Sequence, residues 1–60
     1  MRVTLHYHEP GKRPGTTRKA RRKVASVREG WEWMKANTDK AFFPAEVRKG
    51  WGNELLAAFV

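Results

Sequence analysis

Hydrophobic and polar residues alternate without a break from Arg2 to His8. Val3, Leu5 and Tyr7 fall on one side, with Arg2, Thr4, His6 and His8 on the other. That period of two is the mark of a half-buried strand. Pro10-Gly11 and Pro14-Gly15 follow at once, so the strand should end there in a loop.

Between Thr17 and Asn37 two patterns overlap. In the first, Arg21 to Ala25 is a second strand pairing back on the first across a long basic loop. Ser26 then caps a helix, with Glu29 three residues on completing an S-x-x-E capping box. This helix runs from Val27 to about Asn37, with Val27, Trp31 and Met34 on its buried face. In the second, Ala20, Val24, Val27, Trp31 and Met34 form a continuous stripe on one long helix starting near Thr16 or Thr17. Gly30 disfavours the longer helix by only ~1 kcal/mol relative to Ala. The first pattern is preferred, because a lone strand leaves backbone groups without partners.

After the turn Thr38-Asp39-Lys40, the segment Ala41 to Arg48 holds Phe42, Phe43 and Val47 around Pro44. As a strand it must place Pro44 at an edge or a bulge. As a helix start it places Pro44 at the first helical position. Gly50 and Gly52 end either element. Asn53 then suits the cap of a short C-terminal helix burying Leu55, Leu56 and Phe59. The expected architecture is α+β: a single β-β-α-β domain over residues 1–60, with an antiparallel sheet packed on one helix, a basic hairpin loop and a short C-terminal helix. Residues 10–22 contain no large apolar side chain, so 10–23 is expected as a basic and mobile arm.

Sixty residues bury only ~60% of the surface an unfolded chain exposes. Without cysteine there is neither a disulfide nor a thiolate metal site to help. The seven aromatic residues are therefore expected to supply much of the core, and a homodimer is another route to stability for so small a domain. No apolar run is long enough to span a bilayer. The N-terminus lacks the apolar centre of a secretory signal, and together with the missing cysteines this points to the cytoplasm.

Charge changes the picture more than composition does. Met1 to Lys23 holds eight Lys or Arg against Glu9 alone, whereas Val24 to Val60 balances five against five, so the whole +7 lies in the first 23 residues. Such a field favours a polyanion. Lys12, Arg13, Thr16, Thr17, Arg18, Lys19, Arg21, Arg22 and Lys23 are the candidate nucleic-acid-binding residues. The cations would neutralise phosphates and release counterions, and the threonine hydroxyls would donate to phosphate oxygens. Four to six such contacts imply a slope of log K against log salt of roughly −4 to −5 on duplex DNA. DNA is favoured slightly over RNA, because the aromatic sheet motifs that read RNA are missing. Trp33 lies off the buried helical stripe, where packing against the C-terminal segment alongside Trp51 is the ordinary expectation, and where it can otherwise stack on an unpaired base or anchor an interface.

The same arm would also suit a small inhibitor or adaptor, of the kind made by viruses or mobile elements, docking on an acidic surface of a larger nucleic-acid enzyme. A third class, a ribonuclease using His6 or His8, finds both imidazoles on one strand face, but the acid next to them, Glu9, would point to the opposite face if the strand continued. No nucleophile triad, phosphate-binding glycine loop, CxxC pair or HExxH helix is present. The expectation is a non-enzymatic binding protein with no cofactor, no metal and no membrane partner.

Overall fold

The computed structural model describes residues 2–60. Its order is β1 (Val3–Pro10), β2 (Thr17–Val24), α1 (Val27–Ala36), β3 (Phe42–Lys49) and β4 (Leu55–Phe59). The four strands make one antiparallel sheet in the order β2-β1-β3-β4. The helix covers one face and leaves the other open. The molecule is thus a small α+β domain, and no helix among the described residues is long and apolar enough to cross a membrane.

The first hairpin pairs in perfect register from Val3↔Val24 to Pro10↔Thr17. β2 therefore begins at Thr17, not Arg21, and the expected mobile arm is mostly strand. Nothing in T-R-K-A-R-R-K recommends a strand except the neighbour. β1 carries backbone donors and acceptors on that side that must be met, and Val24 anchors the far end against Val3. Only Gly11 to Thr16 remains as loop. It is closed by Gly11 N–H donating to the Thr16 carbonyl (2.8 Å) and by Gly15 at φ +81°, a left-handed turn position. Ala20 and Val24 are strand residues, which rules out the long helix.

The helix starts where the capping box places it. Ser26 Oγ accepts from Glu29 N–H at 3.2 Å, while the Glu29 carboxylate reaches back to Ala25 N–H at 3.0 Å. Asn37 closes the other end, its backbone N–H on the Met34 carbonyl and its side chain donating to the Trp33 carbonyl at 2.8 Å. The buried face, however, is rotated from the expected stripe. Gly30 and Met34 are buried, Val27 and Trp33 partly so, and Trp31 is 39% exposed. A Cβ on Gly30 would lie 3.1 Å from Val47 Cγ2 and 3.6 Å from Leu5 Cδ1. The helix approaches the sheet through the missing side chain, and that contact sets which residues face inward.

The core is Val3, Leu5, Val24, Met34, Ala41, Ala45 and Val47. It is aliphatic, contrary to the expectation of an aromatic one. Tyr7, Trp33 and Phe59 only pack at its margin, and Trp31, Phe43 and Trp51 are exposed. The rings are too large for the narrow gap that Gly30 creates, so they cluster around its rim.

Pro44 lies within β3, the second of the two readings for that segment being excluded. Between His6↔Glu46 and His8↔Phe42 the β1–β3 register shifts, and the β3–β4 ladder starts only at Ala45↔Phe59. The missing N–H of Pro44 falls in that irregularity, where neither neighbouring strand needs it. The C-terminal segment corrects the expected fold most plainly. Leu55 to Phe59 is strand, not helix, and Leu55 and Leu56 are exposed. Five residues are too few to nucleate a stable helix, whereas β3 offers them a full row of backbone partners.

Candidate nucleic-acid interface

Strand parity divides the basic segment between two faces. Residues opposite one another in a ladder project to the same side, so Arg22, Ala20 and Arg18 share the helix side with Leu5, Tyr7 and Glu9. Lys23, Arg21 and Lys19 share the open side with Thr4, His6 and His8. The expectation of one continuous cationic arm is replaced by two stripes with different neighbours.

On the helix side the cations are engaged. Arg18 Nε pairs with Glu9 Oε1 at 3.3 Å. The Arg22 guanidinium lies over Trp33, 4.4 Å from the ring centroid, and the other neighbour of that ring is Tyr7 at 4.9 Å. Trp33, the candidate stacking residue, is thus half-buried between a tyrosine and an arginine. It packs on the first hairpin and not on the C-terminal segment.

The open side is a broader platform. Lys19, Arg21 and Lys23 are exposed and form no ion pair with a described carboxylate. Trp51 comes from the β3–β4 turn and meets two guanidinium groups: Arg21 at 5.1 Å and Arg2 at 5.7 Å from its centroid. Arg48 lies on the same face, with Nε on Glu46 Oε1 at 2.6 Å and a second nitrogen on the Asn53 carbonyl at 2.9 Å. That bond holds the Glu46 carboxyl below its ordinary value and raises the Arg48 guanidinium. Arg2, Arg48 and Trp51 are additions to the residues the chain itself suggested. Arg2 and Arg48 had a signal in strand parity, whereas Trp51 sits in a turn and had none.

Thr4 anchors the platform from beneath. It is fully buried, and its hydroxyl donates to the Gly50 carbonyl, tying the β3–β4 turn to β1. Beside it the two histidines differ. His8 Nδ1 lies 3.0 Å from the Pro44 carbonyl, a contact that makes this nitrogen the donor. His6 Nε2 is covered and has no partner. Burial pushes the His6 imidazole below its ordinary value of 6.5, with Arg21 and Arg48 adding to that push against the opposing pull of Glu46. A cavity of about 380 Å³ opens next to them, with Lys19, His8 and Glu46 at its polar side and Pro44, Ala58 and Phe59 among its apolar walls. Among the described residues no three His, Asp or Glu converge as a metal-sized group.

The hairpin tip carries Lys12 and Arg13, both exposed and unpaired with any described carboxylate. Thr16 is less free than expected, because its hydroxyl donates to the Arg13 carbonyl at 2.6 Å and closes the turn. Thr17 ends the ladder opposite Pro10 and is exposed.

His6 gives a pH prediction. Its proton binds more readily in the unfolded chain than in the folded one, so stability rises with pH between the lowered folded value and about 6.5 and is lost progressively as pH falls through that window. The melting midpoint of the native chain should therefore drop from pH 7 to pH 5 more than that of His6→Gln. Equal drops in a pair of thermal melts would remove His6 as the cause.

The chain matches no protein-family model, and neither curated proteins nor solved structures yield a significant match. Whatever function is assigned must come from these surfaces.

Proposed function

We propose that the protein is a non-enzymatic nucleic-acid-binding domain that grips phosphates with the open face of its sheet and the tip of its first hairpin. The observation that carries this reading is the row Lys19, Arg21 and Lys23, exposed and in no ion pair with a described carboxylate, beside Arg2 and Trp51 on an uncovered face. An edge strand often carries a lysine or two to prevent sheet-to-sheet association. Five cations in the seven residues from Thr17 to Lys23 exceed that need, and Lys12 and Arg13 extend the same charge beyond the strand.

Duplex DNA is the favoured target. On β1 and β3 the open face presents His6, His8, Phe42, Glu46 and Arg48. Phe42 lies opposite His8, whereas Trp51 follows Gly50 at the Thr4 end, so the two rings do not sit side by side for successive unpaired bases to stack on. Backbone contacts therefore dominate, and affinity for arbitrary sequence is expected near micromolar or weaker.

Anisotropy titrations against duplex DNA, single-stranded DNA and RNA at several salt concentrations test this. The Lys19→Ala, Arg21→Ala, Lys23→Ala triple should bind more weakly, with a log–log salt slope shallower by about 3. An Arg18→Ala, Arg22→Ala double on the helix side should change the slope less. An unchanged slope in the triple would remove the open face from the mechanism. Absence of salt-dependent binding to all three would leave an acidic protein surface as the target of the same charges.

A further inference from the structure

The two edges of the sheet are built in opposite ways. β2 ends one side with its five cations, a strand that repels any copy of itself. β4 ends the other, and from Leu55 to Val60 it has no charged side chain. Leu55 is 47% exposed, Leu56 36%, and Val60 fully exposed. Beside this edge, on the helix side, Trp31 packs on Phe59 and Phe43 with centroids 5.1 and 6.0 Å away, yet Trp31 and Phe43 remain exposed. An uncharged edge strand with a row of unpaired N–H and C=O groups is a template for another strand.

We propose that β4 pairs antiparallel with β4 of a second copy, about a two-fold axis near Ala58, so that two four-stranded sheets become one continuous sheet. Three observations favour a second copy as the occupant. An antiparallel pair of identical strands is self-complementary, as a two-fold interface must be. The chain carries +7, so two copies can meet closely only where neither presents a cation, and Leu55–Val60 is such a stretch at a sheet edge. A polyanion or an acidic protein finds no opposite charge there and is drawn to the β2 side instead. The extra residue at Leu56, where β4 is paired through Ala57↔Val47 and then Leu55↔Arg48, bends the start of the strand. The regular run available for pairing is Ala57 to Phe59, centred on Ala58, and its two alanines allow close approach.

This inference is independent of nucleic-acid binding, and salt separates the two. Screening weakens phosphate contacts but relieves repulsion between two cationic copies. Sedimentation equilibrium of the native chain should give a concentration-dependent dimer that strengthens as salt is raised. Ala58 is exposed, so its substitution leaves the core intact, and thermal melts of each variant verify folding. Ala58→Lys and Ala58→Glu should each be monomeric, because like charges would face each other across the axis. An equimolar mixture of the two should restore the dimer. A native chain that stays monomeric at millimolar concentration in high salt would overturn the proposal and point to a strand from a different protein. So would a dimer that both single variants leave intact.

Discussion

Leu5→Ala is expected to lower the melting midpoint by about 10–30 °C and to leave part of the population unfolded at room temperature. Leu5 has no exposed surface, lies in the central strand β1, and meets both Val47 on β3 and the helix at Gly30. Truncating a fully buried leucine costs about 2–5 kcal/mol, the larger values where surrounding atoms cannot collapse into the space. Here they cannot collapse easily, since the helix already rests against the sheet. A chain of this length has only about 3–9 kcal/mol of net stability to lose. Circular dichroism melts decide the matter. A Leu5→Ala midpoint within a few degrees of the native chain would mean that the core does not lie where the helix crosses β1 and β3.

Gly30→Leu is expected to be nearly as damaging, for the reverse reason. Here the site is overfilled. Already the first added carbon falls 3.1 Å from Val47 Cγ2, and three more would have to displace Leu5 or Val24, at about 1–3 kcal/mol for strain of this kind. The helix would have to lift, exposing Met34. Gly30→Ala provides the contrast. Its helix-propensity gain of ~1 kcal/mol opposes a single tight contact with a methyl group that a small shift of Val47 relieves, so its midpoint should stay within about 5 °C of the native value. If Gly30→Leu melts like Gly30→Ala, the close approach of helix and sheet is not what orients α1.

Much of this arrangement could be read along the chain, and the exceptions have physical causes. The alternation of Val3, Leu5 and Tyr7 defines β1, and Ser26 with Glu29 defines the helix start, because both depend on neighbours close in sequence. β2 was legible only through its obligation to β1, and its true length was hidden because cations obscure any period. β4 was misread because Asn53-Glu54 resembles a helix cap, while the demand from β3 is a tertiary fact. The helix rotation turned on Gly30, whose effect depends on what lies opposite. For the interface, the basic residues stood out, but their division into open-side Lys19, Arg21 and Lys23 and helix-side Arg18 and Arg22 follows only once the strand is known. Trp33 stands out along the chain as a ring off the buried stripe, whereas Trp51 does not, because a helical wheel ranks helix residues and says nothing of turns.

The position of Trp51 makes it a built-in optical gauge. Its indole is held within reach of Arg2 and Arg21, whereas Trp31 and Trp33 belong to the helix. Any anion that claims either guanidinium competes with the indole for it, so the emission of this one ring registers occupancy of the uncovered face without an added dye.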